Sequence, residues 1–399
     1  MILYRLIMAL ALPVMLLATL TGRWPKGAWR ERLALGPHPP AEWWVHGASL
    51  GELASARAVI AALSATSAVL VTTNTATGRA LVAGWGIAGL RVSLAPFDAG
   101  GASARLLRAI RPRALVVVEN EFWPARIAAA KAQGVPVIYI GARLSERSAR
   151  RWRLAGGLMR RMLGAVTFLS AQDAASEARF VALGLQTAAL GARLNLKAGV
   201  MAADATPGPL PRARTLLAAS THPGEEALIL TAFMASRALF DHLILAPRHA
   251  TRGDEVAQAI TSHGLPFARR SQGAMPDPAH PVFLADTTGE MGMWYAAAGA
   301  TIIGGSFANH GGHTPFEPAA YGSALIHGPS LHNFAEVFAR LDAAGACLAT
   351  DGANLSTALN GLTPERQSAL SGKASEVLQD RADLSQLITA IVAHAQPKA

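Results

Sequence analysis

Short apolar runs alternate with helical segments along most of the chain. In the first half these runs are Trp43–His46, Val69–Thr73, Arg91–Ala95, Ala114–Val118, Pro136–Ile140 and Val166–Ser170. In the second half they are Thr215–Ala219, His242–Ala246, Val282–Ala285, Ala300–Ile303 and Ser323–Ile326. Strands that alternate with helices are typical of a parallel, doubly wound sheet, so the sequence predicts the α/β class.

The length of the chain, 399 residues, is too great for one ordinary core and predicts two domains. Residues 204–214 contain three prolines and a glycine, which is typical of a linker. We therefore predict an apolar N-terminal segment over 1–22, a Rossmann-like domain over 23–203, the linker, and a second Rossmann-like domain over 215–399. We expect a cleft between the domains, and the last helix is a candidate to pack back on the first domain.

Residues 1–22 are interpreted as a membrane anchor. Ile2 to Leu20 is apolar except at four positions, and basic residues follow it: Arg23, Lys26, Arg30 and Arg32. The uninterrupted part is about 15 residues, shorter than the roughly 20 that cross a bilayer comfortably, so a spanning and an interfacial anchor both stay open. The segment lacks an A-x-A-like cleavage site, which argues against a signal peptide. A buried helix of the first domain is the other alternative.

The net charge of +10 is unevenly distributed. Residues 1–200 carry 24 Lys/Arg against 9 Asp/Glu, whereas residues 201–399 carry 12 against 17. The first half therefore attracts anions. The apolar N-terminus favours an anionic membrane surface and a phosphorylated lipid over nucleic acid. The arginine-rich region also has few of the interleaved aromatics that single-strand binders use. The single cysteine excludes an intrachain disulfide and fits a reducing compartment.

The first predicted strand leads into the sequence GASLGE at 47–52. Ser49 resembles a helix N-cap, and Glu52 resembles its capping-box partner. Glu52 also fits a general base that the positive end of the helix keeps ionised. The same residues match the G-x-S-x-G elbow of α/β-hydrolases, so a membrane-anchored serine hydrolase is the alternative. An elbow normally follows several strands, and this one follows the first.

Polar residues also follow two other predicted strands of the first half. Glu119 and Glu121 come after Ala114–Val118, where carboxylates have either a structural ion-pair role or a functional one. Arg143 and Arg147 come after the next strand, in a basic stretch that continues to Arg161. That stretch fits a solvated helix face or a phosphate site, because arginine binds phosphate in a bidentate manner.

Residues 304–334 are the most informative stretch of the second half. They are rich in glycine and histidine and follow the strand Ala300–Ile303. Open α/β sheets bind ligands at the carboxyl ends of their strands, and glycines there let backbone amides approach an anion. The stretch predicts a nucleotide or sugar-phosphate pocket, with Glu317 placed to hold sugar hydroxyls. The histidines lack H-x-x-x-H and H-E-x-x-H spacing, so no metal site is predicted among them.

The ordered set of motifs resembles the bacterial 3-deoxy-D-manno-octulosonate (Kdo) transferases of lipopolysaccharide synthesis. The motifs are WVHGASLGE at 44–52, ENEFWP at 119–124, ARLSERS at 142–148, STHPGEE at 220–226, APRH at 246–249, DTTGE at 286–290, GGHTPFEP at 311–318 and HGPSLHNF at 327–334. The resemblance implies an inverting glycosyltransferase of the GT-B fold on the cytoplasmic face of the inner membrane. The donor would be CMP-Kdo and the acceptor the bis-phosphorylated lipid A precursor, with no cofactor and no metal for transfer.

The resemblance also assigns residues. The base is the glutamate of S-x-G-E, Glu52, and the second functional carboxylate is Glu119, with Glu121 the less favoured choice. The expected donor contacts are Ser220, His222, Arg248, His249, Asp286, Thr287, Gly289, Glu290, Gly304, Gly305, Ser306, His313, Thr314, Glu317 and Asn333. The expected acceptor or phosphate contacts are Ser49, Gly51, Arg143, Ser145, Arg147 and Ser148. Thr288 and Thr314 stand where the family usually has Met and Asn.

Overall fold

The computed structural model describes residues 1–22, 24–196, 208–378 and 381–395, without the side chains of 381–383. Contacts divide the chain into two compact units, Met1–Gly199 with Asp380–Ala399, and Val200–Gln379. Arg23, the predicted domain end at 203 and the first part of the predicted linker, 204–207, lie outside the described residues. The cleft expected between the domains stays a prediction.

The described part of the first unit contains a six-stranded parallel sheet. Its strands are β1 (Trp43–His46), β2 (Val69–Thr73), β3 (Leu90–Leu94), β4 (Ala114–Val118), β5 (Val137–Ala142) and β6 (Val166–Ala171). They pair in the order β3-β2-β1-β4-β5-β6. This is the order of a doubly wound sheet. Strands β2 and β3 are added on one side of β1 and strands β4 to β6 on the other, and ligands bind at the strand ends where this order reverses.

The first unit contains helices on both faces of this sheet and a mostly exposed helix at its N-terminus. They are α1 (Ile2–Thr21), α2 (Ala28–Arg32), α3 (Leu50–Ser55), α4 (Arg57–Ser64), α5 (Ala76–Ala83), α6 (Ala102–Ile110), α7 (Pro124–Ala132), α8 (Glu146–Leu154), α9 (Gly156–Leu163) and α10 (Ala174–Ala182), with a 3₁₀ turn at Thr187–Ala189. In the described part of the chain, only α1 is long and apolar enough to cross a membrane.

The core of the first unit follows the two-residue period of its strands. Trp44 and Val117 pack into one buried cluster, whereas Trp43 and Val116 pack into the other. Successive strand residues point to opposite faces, and a sheet covered on both faces reads as a continuous apolar run. The last helix of the chain, α18 (Arg381–Ala395), belongs to this unit, because it contacts α4 and β6 and buries residues such as Ile391 in the second cluster.

The described part of the second unit contains a seven-stranded parallel sheet. Its strands are β7 (Thr215–Thr221), β8 (His242–Pro247), β9 (Phe267–Arg269), β10 (Val282–Leu284), β11 (Ala300–Ile303), β12 (Ala324–His327) and β13 (Leu348–Ala349). The order is β13-β12-β11-β7-β8-β10-β9, so the order in which strands are added reverses between β7 and β11. The helices are α11 (Glu225–Ala235), α12 (Gly253–Ser262), α13 (Met291–Ala297), α14 (Phe316–Ala320), α15 (Ala335–Ala343), α16 (Leu355–Asn360) and α17 (Pro364–Leu378), with 3₁₀ turns at Arg212–Arg214, Ala250–Arg252 and Arg270–Gln272.

The predicted α/β class with two doubly wound sheets is confirmed. Each predicted strand is present, with ends that differ by at most two residues. The sequence analysis missed β9 and β13, which have three and two residues and lie at the two edges of the second sheet. Strands this short contain too few residues to show an apolar period.

Candidate active site

Glu52 lies in the first turn of α3, directly beyond the carboxyl end of β1. Ser49 is the N-cap of α3, and its hydroxyl oxygen accepts a hydrogen bond from the Glu52 amide at 3.4 Å. The Glu52 carboxylate accepts from the Ala48 amide at 2.7 Å and from the Ser49 hydroxyl at 3.2 Å. The predicted Ser49 cap is therefore formed, but the Glu52 carboxylate bonds the amide before the N-cap instead of the N-cap amide that completes a standard capping box. The carboxylate is also partly exposed, so a cap and a catalytic group are compatible at this position.

The electrostatics of Glu52 differ from the expectation. Burial raises the pKa of Glu52 from 4.5 to about 7, against the hydrogen bond from Ala48, and the negative charges of Glu119 and Glu121 raise it further. The sequence analysis expected the helix end to hold this carboxylate ionised; a pKa of about 7 leaves it only partly ionised at neutral pH, because burial outweighs the hydrogen bond from the amide. A pKa near the working pH is the value that suits a general base.

Glu121 is held in a hydrogen-bonded network. Its carboxylate accepts from Asn74 Nδ2 at 3.1 Å and Trp123 Nε1 at 2.6 Å, and it lies 3.5 Å from His46 Nε2. Burial raises the pKa of Glu121, but its bonds to His46 and Trp123 and the charge of Arg126 outweigh burial and leave that pKa below its usual range. Glu121 therefore acts as a fixed negative charge in this part of the unit.

Glu119 has an unusual backbone. Its φ is 58°, in the left-handed region, and its amide donates to the Ile140 carbonyl at 3.1 Å. Non-glycine residues rarely adopt this conformation, and such strain is concentrated at functional sites. Because β1 and β4 are neighbours in the sheet, Glu52, Glu119 and Glu121 lie beyond the carboxyl ends of these two strands. This is the point at which the strand order reverses.

The expected acceptor residues lie at the beginning of two helices in the same unit. Gly51 is exposed at the start of α3, and no atom lies within 4 Å of a Cβ built there. Ser145 is the N-cap of α8 and accepts from the Ser148 amide at 3.2 Å. Arg143 is half-buried, and the basic residues that follow are exposed: Arg147, Arg150, Arg151, Arg153, Arg160 and Arg161. The structure thus presents a basic surface beside the helix start.

In the second unit, the glycine loop begins where β7 and β11 approach closely. A Cβ at Gly304 would lie 2.3 Å from the Ser220 carbonyl oxygen, so only glycine fits. The Gly304 amide donates to the Ala219 carbonyl at 2.9 Å, and Ser220 itself has a left-handed backbone with φ of 59°. The Ser306 hydroxyl donates to Ile303 O at 2.5 Å and accepts from the Gly328 amide, so Ser306 supports the loop.

A buried carboxylate, Glu225, organises this loop. It accepts hydrogen bonds from the amides of Gly305 at 2.7 Å, Phe307 at 2.9 Å and His222 at 2.9 Å. The amides of Gly304 and Gly305 are thus bonded inside the loop, and direct contact between these amides and a phosphate remains a prediction that the hydrogen bonding does not favour. The sequence analysis did not single out Glu225; its place at the start of α11, after a strand end, is the signal.

Four histidines and an arginine lie together beside the loop. His222 Nε2 lies 2.9 Å from His313 Nε2, and the His222 ring stacks on His310 with centroids 3.9 Å apart. The ring centroids of His249 and His222 are 6.5 Å apart. Burial and the neighbouring His222 and Arg248 lower the pKa of His313 to about 4. The exposed Arg248 therefore supplies the positive charge of this cluster at neutral pH, since burial and His310 also lower the pKa of His222.

The carboxylates of the segment 286–290 are paired with arginines. Asp286 accepts from Arg269 Nε at 2.6 Å and from the Ser271 amide at 2.9 Å. Glu290 accepts from Arg270 at 2.7 Å and from the Thr287 hydroxyl, next to Gly289 with φ of 92°. The sequence analysis missed Arg269 and Arg270, which lie on and directly after the short strand β9.

The remaining expected donor residues lie around the glycine loop and α14. Asn333 Nδ2 donates to the His310 carbonyl at 2.7 Å and so fixes the end of the loop. The Thr314 hydroxyl accepts from the Phe316 amide at 3.4 Å. Glu317 is partly exposed in the first turn of α14. The structure therefore brings the predicted donor residues of 220–222, 248–249 and 304–333 to the carboxyl edge of the second sheet.

The geometry of Ser49 bears on the hydrolase alternative. A nucleophilic serine needs a base, usually histidine, within hydrogen-bond reach. Ser49 instead donates to Glu52, and no histidine in the described ranges hydrogen-bonds to it. The G-x-S-x-G pattern is explained here by the helix cap, and nothing supports a serine hydrolase.

Comparison with known proteins gives a consistent result. Residues 27–200 match the sequence family of 3-deoxy-D-manno-octulosonic-acid transferases (kdotransferases). The chain is 37% identical to the 3-deoxy-D-manno-octulosonic acid transferase of Bordetella pertussis, over 86% of this chain and 84% of that protein. It is 32% identical to the transferase of the same name from Haemophilus influenzae, over 76% and 74% of the two chains.

The fold comparison agrees with the sheet topology. The crystal structure of Anabaena HepE in complex with UDP-glucose superposes with a TM-score of 0.59 and 13% identity, over 88% of this chain and 99% of that chain. At this identity the likeness shows the fold alone, which is GT-B. The fold, the motif geometry and the identity to the Bordetella and Haemophilus proteins lead to one conclusion: the chain belongs to the Kdo transferase family, and it is a glycosyltransferase of lipopolysaccharide biosynthesis.

Proposed function

We propose that the chain transfers Kdo from CMP-Kdo to a hydroxyl of the lipid A precursor, with inversion at the anomeric carbon and release of CMP. Family membership supplies the transferred sugar, and the identities of donor and acceptor are the proposal. The observation that carries it is the partly exposed Glu52 carboxylate, whose pKa is about 7, at the switch point of the first sheet. A general base that takes the proton of an alcohol is most effective when its pKa lies near the working pH.

The reaction exchanges one bond for another. Glu52 takes the proton of the acceptor hydroxyl while that oxygen forms a bond to the anomeric carbon of Kdo. The bond between that carbon and the CMP phosphate oxygen breaks, and its electron pair leaves with CMP. Glu119 lies close enough to raise the pKa of Glu52, so it tunes the base as well as facing the same sheet edge.

Negative charge on the departing phosphate needs a positive partner in the second unit. Arg248 is exposed beside the histidine cluster, where its charge contributes to the lowered pKa values of His222 and His313. Arginine and phosphate form strong charge-assisted hydrogen bonds. We propose that Arg248 holds the donor phosphate, that His222, His249 and His313 donate hydrogen bonds to donor oxygens, and that Glu317 holds the ribose hydroxyls.

We also propose that α1 attaches the protein to the cytoplasmic face of the inner membrane, without nucleic acid as a partner. One side of α1 is tied to its own unit: the Tyr4 hydroxyl donates to Asp98 at 2.7 Å, and Asp98 also accepts from two amides of α7. The other side exposes apolar residues, including Leu10 at 80% and Ile2 at 79%. A helix with one side on protein and an apolar free side favours lying in the interface over spanning the bilayer.

The basic surface of the first unit fits the phosphates of such an acceptor. Arg143 lies at the start of α8, and Arg147 and Arg151 are exposed along it. We propose that Arg143, Arg147 and the Ser145 and Ser148 hydroxyls contact acceptor phosphates, and that the more distal arginines meet lipid head groups. Charge reversal at Arg147 should weaken binding to acceptor-containing vesicles, and unchanged binding would count against this assignment.

The direct experiment mixes the purified full-length protein with CMP-Kdo and a lipid A precursor and analyses the products by mass spectrometry. We expect precursor that has gained Kdo and one CMP released per Kdo. Unconsumed CMP-Kdo under conditions where the Bordetella relative is active would contradict the proposal. Incubation with a fluorophosphonate tests the alternative, since labelling of Ser49 would indicate a hydrolase.

A further inference from the structure

A compact set of three potential metal ligands lies outside the transfer site. His327 ends β12, Asp342 lies near the end of α15, and Cys347 immediately precedes β13. One ligand atom from each residue lies within 4.8 Å of the other two. From these residues we propose a structural zinc site, independent of the proposed transfer chemistry.

The distances match tetrahedral zinc. His327 Nε2 lies 3.1 Å from Asp342 Oδ1, Cys347 Sγ lies 3.5 Å from His327 Nε2, and Cys347 Sγ lies 3.1 Å from Asp342 Oδ1. A tetrahedral ion with Zn–S of ~2.3 Å and Zn–N or Zn–O of ~2.0 Å separates its ligand atoms by about 3.3 Å for an N–O pair and about 3.5 Å for pairs with sulfur. The triangle needs adjustments of only a few tenths of an ångström.

The hydrogen bonding of His327 points the same way. Its Nδ1 lies 2.9 Å from the Gly328 carbonyl oxygen, which only accepts, so Nδ1 carries a proton. In the neutral ring Nε2 then has a lone pair, and this lone pair faces a carboxylate oxygen. Two acceptors at this distance repel unless a proton or a metal cation lies between them. A zinc-bound histidine characteristically donates its other ring nitrogen to a carbonyl, as His327 does.

The environment suits a soft or borderline cation. His327 and Cys347 are buried, whereas the Asp342 side chain is 41% exposed, which leaves access for the ion and for a water as fourth ligand. On binding, the Cys347 thiol releases its proton to water, and thiolate, imidazole and carboxylate each donate an electron pair without any redox change. Mixed sulfur, nitrogen and oxygen ligands favour Zn²⁺ over Mg²⁺ or Ca²⁺.

The site would stabilise an edge of the second sheet. The two residues of β13 pair with β12 through Ile326 and His327, so this edge has little backbone bonding of its own. A metal held by β12, α15 and the residue before β13 would join all three elements. Gly328, next to His327, donates to the Ser306 hydroxyl of the glycine loop, so the joined edge also supports that loop.

The test uses the full-length protein after chelation and dialysis, titrated with Co²⁺ as a spectroscopic substitute for Zn²⁺. The chain has a single cysteine, so a thiolate-to-cobalt charge-transfer band reports this site alone. We expect one Co²⁺ per chain, displacement by Zn²⁺, loss of the band in Cys347→Ser, and at least ~10-fold weaker binding in Asp342→Asn and His327→Gln. His313→Gln, in the donor-side histidine cluster, is the matched control and should keep the band.

A second measurement keeps the test independent of variant folding. Alkylation of Cys347 in the wild-type protein should be at least ~10-fold slower with Zn²⁺ than without it, because the metal-bound thiolate is protected. No cobalt band at saturation, full affinity in His327→Gln, or an alkylation rate that Zn²⁺ leaves unchanged would each overturn the proposal. Full affinity in His327→Gln would exclude His327 as a ligand, whereas an absent band or an unchanged alkylation rate would indicate a His327–Asp342 pair without a metal. None of these readouts depends on CMP-Kdo, so they separate this inference from the proposed function.

Discussion

Replacement of Glu52 by glutamine tests the assignment of the base and its energetics together. Glutamine keeps an oxygen that can accept from the Ala48 amide, so the cap at the start of α3 stays in place. It cannot take a proton from the acceptor hydroxyl. General-base catalysis contributes ~10²–10⁴-fold, so we expect transfer to fall by that factor, which is about 3–5 kcal/mol in the barrier. CMP binding should not change.

The same variant should be more stable than the wild type. The pKa of Glu52 is 4.5 in the unfolded chain and about 7 in the folded protein, so folding disfavours the ionised form. The contribution of Glu52 to stability is therefore most favourable below pH 4.5, decreases as the pH rises from 4.5 to about 7, and stays unfavourable above that. At ~1.4 kcal/mol per pKa unit, with a discount for solvent screening, Glu52→Gln should gain ~1–3 kcal/mol at pH 8.

The assays are product formation, CMP binding by calorimetry, and denaturant unfolding at pH 5 and pH 8. Glu42→Gln is the matched control, because Glu42 is exposed in the same unit and pairs at the surface with Arg113. It should change neither transfer nor the pH dependence of stability. Normal turnover in Glu52→Gln would remove Glu52 as the base, and a loss of stability at pH 8 would refute the electrostatic reasoning.

Three further predictions follow from named contacts. Glu119→Gln removes a negative charge that raises the pKa of Glu52, so the acidic limb of kcat/KM, expected near pH 7, should move to lower pH; an unmoved limb argues against this coupling. Arg248→Ala should weaken CMP binding in calorimetry by roughly 10–100-fold, since charge-assisted bonds are worth ~1.5–3 kcal/mol, and equal affinity would exclude Arg248 as the phosphate partner. Leu10→Ser on the exposed side of α1 should lower partitioning to anionic vesicles by ~10-fold or more, whereas Met234→Ser, at an exposed position of the second unit, should not.

Much of the fold was readable from the sequence because both sheets are parallel and covered on both faces. Strands such as Ala114–Val118 and Ala300–Ile303 are buried at every position, so they appear as continuous apolar runs. The edge strand β13 has too few residues to give this signal. The last helix was named from the sequence as a candidate to pack on the first domain, and it contacts residues of that unit more than 200 positions earlier in the chain.

The candidate site was readable only in part. Motif positions identified Glu52 and the glycine loop, since strand order brings strand ends to one edge. The partners of each carboxylate were not readable, because ion pairs such as Asp286 with Arg269 join segments whose distance no local pattern encodes. The hydrogen bond from the Gly305 amide to Glu225 was missed for the same reason, since the two residues are 80 positions apart.

The direction of the pKa shift distinguishes the carboxylates that hold the structure together from the one proposed as the base. Bonds to Arg270 and Thr287 lower the pKa of Glu290, and Arg269 and Ser271 lower that of Asp286 against the effect of burial. The pKa of Glu121 is likewise lowered, so these three carboxylates are charged at neutral pH and held by hydrogen bonds. The pKa of Glu52 is instead raised, although an amide and a hydroxyl both stabilise its anion. A group that folding leaves in an unfavourable charge state lowers stability, and such a group persists where its protonation equilibrium is used. This argument selects Glu52 over Glu121 as the base without reference to any motif.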